Sequence, residues 1–234
     1  IASGRTSTAF GDNTIASGNR STAFGYQTKA TGIYSTAFGS GAVANGDYSI
    51  AGGDSGEANC YMSLAFGRNT IANDIYSIAL GCGTTACDIY SMAFGDNTES
   101  SGCYSTAFGC HTIASGRYSI AGGISTEASG FASLAFGSSV SANTSYTTAF
   151  GFGTLASGLY STAFGNSTTA SGRCSLAFGC DTTASGGYSV VFGNSTVASG
   201  TYSTAFGEGT IACGYYSTSF GECTNAHDYL ETAL

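Results

Sequence analysis

The chain has 234 residues with 36 Gly, no Pro and no Trp; 42% are hydrophobic, 13% aromatic and 9% charged, with a formal net charge of −8. That apolar content excludes a disordered low-complexity chain, the missing Pro and the absence of Gly at every third position exclude collagen, and the acidity excludes nucleic acid as a partner. No run of 18 apolar residues occurs, so no membrane insertion by this segment is expected, and isolated acids such as Asp47 and Glu222 serve to keep a low-charge fibre soluble.

Read from the N-terminus, Ser-Thr-Ala-Phe-Gly and its variants recur every 14 residues without insertion or deletion. The aromatic falls at Phe10, Phe24, Phe38, Phe66, Phe94, Phe108, Phe136, Phe150, Phe164, Phe178, Phe192, Phe206 and Phe220. The Gly that follows is kept even where the aromatic is lost, which marks a demand of the backbone. Six positions past the aromatic comes Ala, as in Ala16 and Ala30, and two further a second Gly, replaced by Cys60, Asp74, Asp88 or Thr144 in a few copies. A repeat this uniform leaves no place for a boundary, so a single domain over 1–234 is expected. The chain starts and stops inside a repeat, as a segment of something longer would.

Within one copy, Tyr34-Ser35-Thr36-Ala37-Phe38 alternates large and small residues with the period of a strand, and Gly39 is expected to end it. Thr14-Ile15-Ala16-Ser17-Gly18 predicts a second, shorter strand. Fourteen residues are too few for a strand plus crossover helix. The fold expected is an all-β parallel β-solenoid of two-strand coils, each strand pairing with its copy one coil on at ~4.8 Å, for a rod on the order of 80 Å. On the short strand, the position holding Ile15, Lys29, Val43 and Glu57 must reach water, which turns Thr14 and Ala16 inward. Two orientations of the long strand stay open. Either the Tyr, Thr and Phe columns fill the roll, or Ser and Ala make a thin interior and the Phe column points out against another chain; both bury the Phe column, because an exposed ladder of rings exceeds what a monomer tolerates. Where Phe gives way to Gly52 or Gly122, Leu64 or Leu134 in the next coil replaces the usual Thr, and restored bulk beside a hole competes with duplication of five coils as the explanation.

No catalytic set, cofactor site or metal site is expected. Gly53-Asp54-Ser55-Gly56 has the letters of a serine nucleophile, but His111 and His227 are coils away and cannot serve as its base. The nine cysteines form no metal-ligand spacing, and nine is odd. Free thiols packed as small apolar residues are expected, with Cys82–Cys87 and Cys87–Cys103 the open pairings. Thr columns suggest an ice-binding array only weakly, because they fall on different strands and Ile, Leu or Met interrupts them. Asn19, Asn143, Asn166 and Asn194 open sequons for glycosylation. The Tyr column (Tyr34, Tyr48, Tyr76, Tyr90, Tyr104, Tyr118) is read as packing between coils ahead of contact with sugars or protein.

Ser35-Thr36-Ala37-Phe38-Gly39 followed by Ala44-Asn45-Gly46 resembles the head repeats of trimeric autotransporter adhesins, with their Ser-Val-Ala-Ile-Gly strand and Ala-x-Gly turn. The resemblance covers essentially the whole chain. It implies a left-handed parallel β-roll, three chains side by side, export to a cell surface and adhesion. Phe in place of the aliphatic residue and the nine cysteines depart from that pattern. The function expected is a non-enzymatic extracellular rod, adhesive and self-associating as a homotrimer. A surface filament or the exterior fibre of a virus-like particle is the structural alternative. Contact with a host or matrix protein or a glycan is expected at the variable turn after each Gly, where Asp12, Tyr26, Ser40, Asp54, Arg68, Asp96, Phe152, Asn166 and Glu208 differ from coil to coil.

Overall fold

The computed structural model describes residues 1–234, which form two compact units, Ile1–Tyr118 and Ser119–Leu234. Both repeat one design. In the first unit the long strands run every 14 residues from Thr8–Asp12 to Thr106–Cys110, and the short ones from Ile15–Ala16 to Ile113–Ala114. In the second the long strands run from Ile120–Ile124 to Thr218–Glu222, followed by Thr232–Ala233, and the short ones from Glu127–Ala128 to Asn225–Ala226. Every element is a strand, and all pairings are parallel and in register with the residue one coil away: Phe10 with Phe24, Ala30 with Ala44, Phe150 with Phe164. The chain is therefore a parallel β-solenoid of 14-residue coils, as the period predicts.

The invariant Gly follows from the stacking. Gly151 has φ 124°, a region closed to residues with a Cβ, and a Cβ there would lie 1.8 Å from the carbonyl oxygen of Gly165 in the next coil. It does not end the strand, as the sequence suggested for Gly39. The strand passes through it and takes one more residue, Ser40 after Gly39 and Asp12 after Gly11. The second Gly is less strict for a visible reason. Gly46 donates its N–H to the Ala58 carbonyl of the next coil at 3.2 Å, whereas Cys60, Asp74 and Asp88 donate theirs to the hydroxyls of Ser63, Ser77 and Ser91 at 3.2, 3.1 and 3.1 Å. The donor stays satisfied, and the turn accepts a side chain.

The interior is made of four small columns. Thr28, Ala30, Ser35 and Ala37 are fully or almost fully buried, as are their counterparts away from the two ends of the chain, and Thr14 and Ala16 face inward as expected. The Ser hydroxyl closes the turn before it: Ser21 Oγ donates to the Gly18 carbonyl at 2.7 Å and Ser35 Oγ to Gly32 at 2.7 Å. Each buried Ala methyl contributes on the order of 0.8 kcal/mol and each cross-coil hydrogen bond about 1 kcal/mol net, so cohesion is spread evenly along the backbone.

Of the two orientations of the long strand, the thin Ser/Ala interior is the one adopted. The Phe column is accordingly outside, and none of its rings is buried within the single chain. A long and a short strand facing one another through Ser, Thr and Ala leave no room for a ring, so within one chain the column is uncovered; the burial expected for it in this orientation is against another chain. The bulk lost at Gly52 is replaced within the Phe column itself. The rings of Phe38 and Phe66 close over the gap to 5.6 Å, and a Cβ on Gly52 would meet them at 2.6 and 2.7 Å. Neighbouring rungs thus close over the hole.

Several Thr hydroxyls of the interior, that of Thr84 among them, are buried without a hydrogen-bond partner, and Val140 occupies the same column naturally. Thr84→Val is expected to stabilise the fold by about 1 kcal/mol by removing an unpaired polar group at constant shape. Gly151→Ala is expected to cost about 3 kcal/mol or more, because the clash is with backbone. Denaturant titration of both variants checks the contrast.

Candidate interaction surface

Because the interior admits only small side chains, every large one is displaced to the outer face, and there the in-register pairing turns each column into a ladder. Phe rings stack along the long strands, with centroids 5.4 Å apart for Phe24–Phe38 in the first unit. In the second they are 5.2 Å apart for Phe136–Phe150, 4.8 Å for Phe178–Phe192 and 4.7 Å for Phe192–Phe206. Stacking covers the ring faces and leaves the edges in solvent, so Phe24 remains 46% exposed and Phe164 50%. Beside them on the same face run Thr, Ile, Leu and Met, as at Thr36, Ile50, Leu64 and Met92. This is a continuous apolar strip in each unit, the kind of surface that signals a partner.

A second ladder is built by tyrosine at the turn leading into the long strand. Tyr34–Tyr48, Tyr90–Tyr104, Tyr146–Tyr160 and Tyr188–Tyr202 all stack at 4.9 Å. Each of these residues sits at positive φ, 59° at Tyr34 and 61° at Tyr160, a conformation that bulky residues adopt only under compensation. Ring stacking and a backbone bond to the previous coil, such as Tyr48 N–H to the Ile33 carbonyl at 2.8 Å, supply it. Packing between coils is thus what the Tyr column does, as its sequence reading favoured. Between Tyr34 and Tyr216 the ladder is broken at Met62, Ala132 and Cys174. At Met62 the preceding Tyr61 fills the gap edge-on, 5.7 Å from Tyr48 and 5.8 Å from Tyr76. At Ala132 the preceding Phe131 packs edge-on at 5.4 Å from Tyr146.

The residues expected to form a variable turn are placed otherwise. Asp12, Tyr26, Ser40, Asp54, Arg68, Asp96, Phe152, Asn166 and Glu208 each end a long strand and pair with the equivalent residue of the next coil; all are exposed. The turn proper is the following residue, at positive φ, as Asn13, Gln27 and Ser55. In each unit these positions therefore form a stripe on the sheet. Its side chains interact along the axis: Arg68 donates to Cys82 Sγ at 3.3 Å, and the Cys110 thiol points at Asp96 Oδ2 at 3.9 Å. The Cys82 thiol, with weaker help from Asp54 and Asp96, raises the Arg68 pKa further, so this cation is permanent.

All nine cysteines are free thiols, and neither Cys82–Cys87 nor Cys87–Cys103 is bridged. Burial, and then the charge of Glu99, push the Cys87 thiol up, which favours its protonated form. No group of three or more His, Cys, Asp or Glu side chains converges as metal ligands would. In the Asp54-Ser55 turn, Ser55 Oγ lies 3.4 Å from Asp54 Oδ1, in a stacked turn of ordinary form. The Thr column of the short strand faces the interior, which removes it from any outer hydroxyl array.

A family model described as the YadA head domain repeat matches residues 2–28, 30–55, 61–81, 89–109, 156–179 and 184–210, more than half of the chain. No curated protein matches it. For the outward Phe ladder, Phe178→Ala in the isolated chain is expected to cost about 1 to 2 kcal/mol, less than a buried ring would, since half of the burial and two stacking contacts are lost. Urea denaturation at high dilution measures it.

Proposed function

The chain belongs to the YadA head-domain repeat family, a family of surface-exposed adhesin heads, and from that membership we propose that it acts as an adhesive rod assembled as a homotrimer. The observation that carries the reading is the unburied Phe strip. Members of the family associate as trimers, and an apolar ladder with ring edges in water is a surface suited to burial against copies of itself. The stripe of strand-end residues from Asp12 to Glu208 then remains as variable chemistry on a constant scaffold. It is offered many times over to a host protein, matrix protein or glycan, so that weak contacts add through avidity. Nothing in this role asks for catalysis.

Light scattering on the purified chain is expected to give three times the mass of the monomer. Phe178→Glu and Phe192→Glu together should return a monomer, since two charges cannot be buried in that strip without partners. A monomeric wild-type chain overturns the trimer, and continuous fibres in electron micrographs favour the filament. Exchanging the eight strand-end residues other than Ser40 for Ser should abolish surface binding while leaving the trimeric state unchanged.

A further inference from the structure

The third break in the tyrosine ladder differs from the other two. At Met62 and Ala132 an aromatic residue one position earlier fills the gap, but before Cys174 that position is Arg173. Tyr160 stacks on Tyr146 and Tyr188 on Tyr202, both at 4.9 Å and within 11° of parallel. The remaining face of each ring therefore looks into the Cys174 coil with no other ring and no cation against it. Two coil rises of ~4.8 Å place these two faces about 10 Å apart. Half-buried Cys174 is the floor between them.

The width of the gap selects its occupant. Carbon atoms in contact with a ring face lie about 3.5 to 4 Å from it, so a flat aromatic ligand fills only about 7 Å, while a puckered saturated ring in contact with both faces fills close to the whole width. Arg173 selects further. Arg20 and Arg117 lie over tyrosine rings at 5.0 and 4.9 Å, but Arg173 is over no ring and in no ion pair. Between Glu127 and Glu208 the one acidic residue is Asp181, in the turn at the far end of the long strand. An exposed guanidinium without a counter-ion beside two open aromatic faces suits a carboxylate on a sugar ring.

We propose that the gap at Cys174 is a binding slot for one acidic pyranose, held between Tyr160 and Tyr188 with its carboxylate on Arg173. The slot is on the opposite edge of the sheet from the stripe that ends at Glu208. It stands on its own geometry, so adhesion through that stripe can fail without it and the reverse. A terminal sialic acid and a uronic acid within a chain share this chemistry.

The test titrates the full chain with sialyllactose, a hyaluronan tetrasaccharide and, as neutral control, lactose. Saturation-transfer NMR reads binding, and mass spectrometry reads the protection of Cys174 from iodoacetamide. At least one acidic sugar is expected to bind and to protect Cys174, and the one that does identifies the source; lactose should do neither. Arg173→Phe copies the filled gap at Ala132 and Cys174→Tyr restores the regular ladder, so both variants keep the fold; each should weaken binding by about tenfold or more, as should Arg173→Gln. The proposal is overturned if neither acidic sugar binds the wild-type chain, if lactose binds equally well, or if the filled variants bind unchanged.

Discussion

Everything in this protein depends on one close approach, the packing of a Gly carbonyl in one coil into the space where the Gly of its neighbour has no Cβ. At 1.8 to 2.2 Å from the position of that missing atom, no other residue fits, so the coils stack in register or do not stack at all. Register then determines the rest. Each position of the repeat becomes a column, small residues of one kind inside and large or variable ones outside.

The thin interior explains why the surface is so apolar for a chain with a mean content of 42% hydrophobic residues. A globular domain places its rings in the core; here the core is methyls and hydroxyls, and the rings stabilise one another face to face along the outside. Stacking hides ring faces efficiently but cannot hide their edges. The result is a scaffold that folds through backbone bonds and small side chains, and leaves its large apolar groups at the surface.

Much of this was legible in the sequence. The period gave the coil length and the parallel pairing, the strict Gly gave a backbone demand, and the variable column from Ile15 to Glu57 fixed which way the short strand faces. The long strand was ambiguous because a period of two marks two faces without saying which is inside. The deciding signal was present: Ala23, Ala37 and their copies are almost never replaced, whereas the Phe column accepts Gly52 and Leu80, a tolerance that belongs to a surface. The stripe from Asp12 to Glu208 was misplaced into a turn because Gly reads as a strand breaker, yet at φ near 124° it keeps the chain extended. The filled gaps at Met62 and Ala132 could be spelled from the letters Tyr61 and Phe131, but their meaning required the ring geometry.

A face made of identical rungs carries no information about which rung is which. Two such faces laid together can slide by one coil and recover nearly every contact, so a perfectly regular ladder would leave the alignment of neighbouring chains undetermined. In the trimer proposed above, irregular rungs would remove that degeneracy. In the first unit Gly52 and Leu80 interrupt the Phe column 28 residues apart, two unlike rungs that coincide with a copy of themselves only at zero offset. Places where the repeat lapses thus act as the marks on a ruler, fixing the zero of a surface that would otherwise have none.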